Sequence, residues 1–140
     1  MEASEGAARG GSASPVAGMD AAATALIDPQ SIERLRQLDP SGQQGVLDRV
    51  LRAYESSLGR HLDDVTLALS AGDLDRMARA AHTLKSSSAA VGALNFSQLC
   101  ADIEHMLRSL KVMPPTSQVE ALIHEGTRVQ AAVGAMLALK

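Results

Sequence analysis

The 140-residue chain is almost without aromatic side chains: it has no Trp, and Tyr54 and Phe96 are its only aromatic rings besides the histidines. Its interior must therefore be built from Leu, Val, Ile, Met and Ala, in a chain that is 46% hydrophobic. Such side chains suit helices packed on helices, because strands draw on β-branched and aromatic residues. The single cysteine, Cys100, excludes an internal disulfide framework and fits a reducing compartment. No apolar run approaches the ~20 residues that a membrane-spanning helix needs. The N-terminus carries Glu2 and Glu5, not the basic region and apolar core of a secretory signal. A soluble, cytoplasmic protein is the expectation. Cations are also scarce. Lys and Arg number 13 against 16 Asp and Glu, for a net charge of −3. That balance argues against a general nucleic-acid binder, whose phosphate affinity comes from clustered Lys and Arg. Neither glycine-rich pattern that cradles a nucleotide phosphate is present.

What the chain has is organisation. Residues 1–25 are dominated by Ala, Gly and Ser, show no sustained periodicity, and read as a flexible tail or linker. Residues 26–140 read as one helical domain, long enough to bury a cooperative core. Asp28-Pro29 is a helix start, a capping oxygen followed by proline at the first helical position. It opens a short helix over 30–38 with Ile32, Leu35 and Leu38 on one side. Ser41-Gly-Gln-Gln44 has the form of a capping box. A long helix follows, with Val46, Val50, Tyr54, Leu58, Leu62, Val65 and Leu69 at steps of three and four. Gly72 ends it and Asp73 caps the next, whose inner stripe is Leu74, Met77, Ala81, Leu84, Ser88 and Val91. Gly92 stops that helix. Asn95-Phe-Ser-Gln98 reads as a second capping box, with Leu99, Ile103, Met106 and Leu110 inward. Pro114-Pro115 is a hard break. Ser117-Gln-Val-Glu120 opens the last helix, with Val119, Leu122, Gly126, Val129, Val133 and Met136 on one face. Short connections make sequential helices antiparallel. The expected fold is all-α: an antiparallel up-down four-helix bundle with a short extra helix at its start.

The chemistry is concentrated between Ala81 and Ala93. His82 falls one step off the apolar stripe at 81, 84 and 88, so it flanks the core. Arg79, Lys85, Ser86 and Ala89 share its face. That is an imidazole between cations, with small side chains beyond it that leave room for another protein. Cations there can offset the charge of a phosphoryl group. His61, His105 and His124 lack such neighbours and read as structural or solvent-facing. Cys100 reads as a small core residue, and the Met residues sit at core spacings. No Glu-x-x-His pair of the kind that builds a di-iron bundle is present, so no metal site is expected.

The run His82-Thr83-Leu84-Lys85-Ser86-Ser87-Ser88, then Gly92-Ala93, resembles the signature of the histidine-phosphotransfer (HPt) family. That signature is His-x-Leu-Lys-Gly-Ser-Ser followed by a Gly-Ala-type helix end. The resemblance extends over essentially all of 28–140. It implies a phosphorelay intermediate, a phosphocarrier and not an enzyme. His82 would be the phosphoacceptor and Lys85 the cation beside the phosphoryl group. Glu104 stands where the family places a Gln or Glu that holds the imidazole, and Gln98 is a weaker candidate for that position. Arg79, Ser86 and Ala89 would face the docking partner. Ser86 departs from the family pattern, which has glycine there. The implied partners are receiver domains of response regulators and an upstream histidine kinase. No cofactor is expected in this chain, with Mg²⁺ in the partner's receiver site, and a monomer is the simplest expectation. Three other readings share much of the pattern: a fragment of a hybrid sensor kinase, the phosphoacceptor domain of a chemotaxis-type kinase, and a helical adaptor that is not phosphorylated.

Overall fold

The computed structural model describes residues 26–139; the expected tail, 1–25, lies outside them. Five helices follow in order: α1 (Pro29–Arg36), α2 (Val46–Ala71), α3 (Leu74–Val91), α4 (Leu94–Arg108) and α5 (Thr116–Ala138). The described residues form no strand. Helix α3 packs on α2 and α4, and α5 closes the ring against the same two, while α1 lies against α2 and α3. Two-residue turns at Gly72-Asp73 and Gly92-Ala93 reverse the chain, so α2, α3 and α4 run antiparallel. The all-α bundle with a short leading helix is therefore the observed fold.

Local chemistry explains most of the helix ends. Asp28 caps α1, its carboxylate accepting from the Gln30 amide at 3.2 Å. Asp73 caps α3 by accepting from the Arg76 amide at 3.0 Å. Gly92 ends α3 in the left-handed region with φ 90°. A side chain there meets two obstacles, that backbone conformation and Ser31, whose Cβ lies 2.7 Å from where a new Cβ would sit. The Asp28 amide also donates to the Gly92 carbonyl at 2.9 Å, so α1 is pinned to the α3–α4 turn.

The two expected capping boxes do not form, and the last helix opens one residue before Ser117. Helix α2 starts at Val46, after Gly45 in the left-handed region. Ser41 accepts only from Gln43, while the Asp39 carboxylate takes the amides of Gln44 and Val46. A charged acceptor on a preceding turn outcompetes a hydroxyl for those amides. Asn95 lies inside α4, one residue past its start, and its amide donates instead to the buried carboxylate of Glu125 on α5. Helix α5 begins at Thr116, with the Pro115 carbonyl accepting from Gln118 and Val119. Helix α1 also stops at Arg36, so Leu38 lies beyond it and is 69% exposed.

The core holds the expected stripe of α3, apart from the half-buried Leu74, and most of α2 and α5. The inner face of α4 is rotated from the expected one. Phe96, Cys100, Ile103 and Leu107 are buried, Leu99 and Met106 are half-buried, and Leu110 is exposed past the helix end. Phe96 sets this rotation. It is fully buried and packs so close to Gly126 that a Cβ on that glycine would lie 2.9 Å from the ring. Ser88 sits in the apolar stripe because its hydroxyl pairs with the Tyr54 hydroxyl at 2.7 Å across α2 and α3. Burial pushes the Tyr54 phenol up to about 12 despite that bond. Truncating the ring that orients α4 should therefore be costly. Phe96→Ala is expected to lower the unfolding free energy by about 3–5 kcal/mol, measured by urea denaturation followed by circular dichroism.

Candidate functional site

Helix α3 carries His82 at its midpoint. Its side chain is 54% exposed, and its Nδ1 lies 2.8 Å from Oε2 of Glu104 on α4. A carboxylate only accepts, so Nδ1 carries the hydrogen. The lone pair is thereby left on Nε2, at the opposite edge of the ring. Lys85, one turn along α3, puts its ammonium 2.7 Å from Oε1 of the same carboxylate. Arg108, one turn along α4, brings its guanidinium within 3.3 Å of Oε2.

Glu104 is the hub of this cluster. Its side chain is only 11% exposed. Burial alone pushes the carboxyl up, yet hydrogen bonds from Lys85 and His82, with their charges, hold it below the ordinary carboxylate value. It is therefore ionised at neutral pH and can balance positive charge on the imidazole. Behind it, the Cys100 thiol is pushed up to about 12 by burial and then by the Glu104 charge, which makes it an inert core group.

The structure brings three of the residues singled out in the sequence, His82, Lys85 and Glu104, into one cluster. Arg79 is not part of it: its guanidinium pairs with Asp75, one turn toward the N-terminus of α3. The second cation on Glu104 is Arg108, which reading α3 alone could not supply. Its i, i+4 spacing from Glu104 was the available signal. Ser86 and Ala89 are exposed on α3. Gln98 donates to Asp102 on its own helix. Of the other histidines, His61 sits against the Ser57 carbonyl at 2.8 Å, and His105 and His124 are exposed. A cavity of about 460 Å³ opens where α1, the start of α2 and the end of α5 meet, lined by Arg36, Pro40, Val46, Leu51, Met136 and Leu137 among others. None of its lining residues belongs to the His82 cluster, which stands on an open helix face.

The family model for the Hpt domain matches residues 49–136, from the first turn of α2 to the last turns of α5. The chain belongs to the Hpt domain family. It is thus a histidine-phosphotransfer module of phosphorelay signalling. The fold agrees. The structure of histidine-containing phosphotransfer protein B (HptB) from Pseudomonas aeruginosa PAO1 superposes with a TM-score of 0.71 at 18% identity, covering 82% of this chain and 96% of that one. No curated protein sequence matches the chain. No described helix is long and apolar enough to cross a membrane.

The ionised Glu104 of this Hpt domain ties stability to pH with a definite sign. A depressed carboxyl contributes stability that is complete above its unfolded value, about 4.3, and is lost as pH falls through the folded value. Glu104→Gln lacks that titration. The difference in unfolding free energy between the native protein and Glu104→Gln is expected to shrink from pH 7 to about pH 3, a comparison made by urea melts at both pH values.

Proposed function

We propose that His82 is the phosphoacceptor of this Hpt domain, and that it exchanges the group with an aspartate on the receiver domain of a response regulator. The observation that carries this reading is the bond from Nδ1 of His82 to the buried carboxylate of Glu104. In the transfer, the Nε2 lone pair attacks the phosphorus of an aspartyl phosphate. The N–P bond forms as the O–P bond to the aspartate breaks, and the carboxylate leaves with the electron pair. The Nδ1 hydrogen stays on the ring, which becomes cationic, and Glu104 offsets that charge at hydrogen-bond range. Return of the group to a second aspartate is the same step reversed.

Lys85 and Arg108 supply positive charge beside the carboxylate and near the incoming group. Three cationic or cation-forming side chains share one acid there, which leaves a surplus to meet phosphoryl oxygens. Ser86 and Ala89 offer a low surface for docking, with Arg79 at its edge. On this reading the module supplies a nucleophile, its orientation and a docking face. It acts as a carrier and not as an enzyme. It requires no cofactor of its own, and the partner's receiver site would contribute Mg²⁺ and most of the electrostatic work of phosphoryl transfer. An upstream histidine kinase would load the relay, in the cytoplasm, and the module would act as a monomer.

The test is transfer of label. Incubated with a phosphorylated receiver domain and Mg²⁺, the chain should gain label that is acid-labile and base-stable. His82→Gln should gain none, and Lys85→Ala should load about tenfold more slowly, the effect of losing ~1.4 kcal/mol of charge stabilisation. Absence of label on the native chain would favour an adaptor that is not phosphorylated, and label that persists in His82→Gln would remove His82 as the phosphoacceptor.

A further inference from the structure

Ser97 lies outside the histidine motif, on the first turn of α4 and half-buried against α3. Its hydroxyl donates to the main-chain carbonyl of Lys85 at 2.7 Å. Lys85 is in the interior of α3, so its carbonyl already faces the amide of Ala89 in the helical ladder. It has no need of a second donor. A serine in a helix ordinarily turns its hydroxyl to solvent or to the carbonyl four residues back. Ser97 instead reaches across to the neighbouring helix, at a residue that also supplies a cation of the cluster.

Helix geometry gives this bond its consequence. Side chains lean toward the N-terminus of their helix, while carbonyls point toward its C-terminus. The Lys85 ammonium therefore reaches back to Glu104, 2.7 Å away, and its carbonyl reaches forward to Ser97. Because α4 runs antiparallel to α3, Ser97 and Glu104 lie at the two sides of Lys85 that its carbonyl and ammonium face. Lys85 is held at both ends by α4. A slip of about 0.5 Å between the helices would take a contact of 2.8 Å out of the range of a good hydrogen bond.

We propose that Ser97 is a positioning residue for His82: its bond to the Lys85 carbonyl sets the register of α4 along α3, and so seats the Glu104 carboxylate against Nδ1 of His82. This deepens the reading of His82 as phosphoacceptor and rests on it. Ser97 does not touch the reacting nitrogen. It acts through the helix that carries Glu104, and its loss changes which ring nitrogen holds the hydrogen.

The experiment uses the full chain, labelled with ¹⁵N, as wild type, Ser97→Ala and Ser97→Thr. Thr127→Ala serves as the control, since the Thr127 hydroxyl bonds only the Ile123 carbonyl of its own helix. Three quantities are read: the His82 imidazole ¹⁵N shifts across pH, the rate of label uptake from a phosphorylated receiver domain, and the thermal melt. Ser97→Ala is expected to lose the bias toward hydrogen on Nδ1 and to load about fivefold more slowly, with a melt close to that of Thr127→Ala. Ser97→Thr restores both the ring spectrum and the rate. A wild-type imidazole spectrum in Ser97→Ala would overturn the proposal. So would a slow rate that threonine fails to restore, or a melt so low that the bond is simply a determinant of folding. If the wild type itself takes no label, the phosphoacceptor reading falls, while the imidazole spectra still decide the role of Ser97.

Discussion

A carboxylate held nearly out of water has to be compensated, and in this bundle the compensation for Glu104 comes mostly from another helix. An isolated buried charge costs several kcal/mol, and α4 alone offers Glu104 only the Arg108 guanidinium one turn away. The remaining donors, His82 and Lys85, stand on α3. The polar contact that steers the imidazole is thus also a cross-brace between helices. If α4 slid or rotated, it would strip a buried acid of its two partners on α3, so the fold resists the motions that would misorient the ring. Fully satisfied polar clusters give a bundle this kind of specificity, whereas a purely apolar seam of Leu and Ala would allow several registers.

The division between apolar seam and polar brace explains how much could be read in the sequence. Periodicity found α2, α3 and α5 with their buried faces, because Leu58, Leu62, Val65, Leu84, Val119 and Val133 repeat at helical steps whatever surrounds them. The Asp28 and Asp73 caps and the Gly72 and Gly92 stops were legible for the same reason: each is decided by a local backbone preference. The failures came wherever a residue had two possible partners and the distant one won. Asn95 had the pattern of a cap but serves Glu125, thirty positions away. Ser41 lost its amides to Asp39, nearby in sequence but on a separate turn. On α4 the periodic choice between Leu99 and Phe96 was decided by the space beside Gly126 on α5, which no local pattern records.

The candidate site divides along the same line. The facing of His82 and Lys85 follows from their spacing on one helix, and the motif flags them. The partnership with Glu104 needs the pairing of two helices, and there the family resemblance supplied what spacing did not. Arg108 shows the limit of both routes. Its link to Glu104 is a local i, i+4 pair, but its meaning depends on Glu104 already being engaged across the bundle. Arg79 shows the opposite case. It shares a helix face with His82, yet Asp75 lies one turn away on the same helix and holds it. Sharing a face is a necessary condition for joining a site, and competition for each charge decides the rest.

The geometry also bears on why a module of this kind can do without a pocket. Pockets serve enzymes that must select a small substrate and exclude water on their own. A carrier that meets its reacting group already mounted in another protein's active site needs only an exposed nucleophile in the right protonation state. On the proposed reading, half-exposure of His82 would meet the first need, and the buried acid behind Nδ1 the second. The two requirements pull in opposite directions, since a ring exposed on both edges would exchange tautomers freely and a ring buried on both would meet no partner. Placing the imidazole at a helix–helix seam, one edge against α4 and the other toward solvent, satisfies both. A long α3 with small residues beyond Lys85 is a simple scaffold that holds a ring in that position, with α4 close enough for the Glu104 carboxylate to reach it.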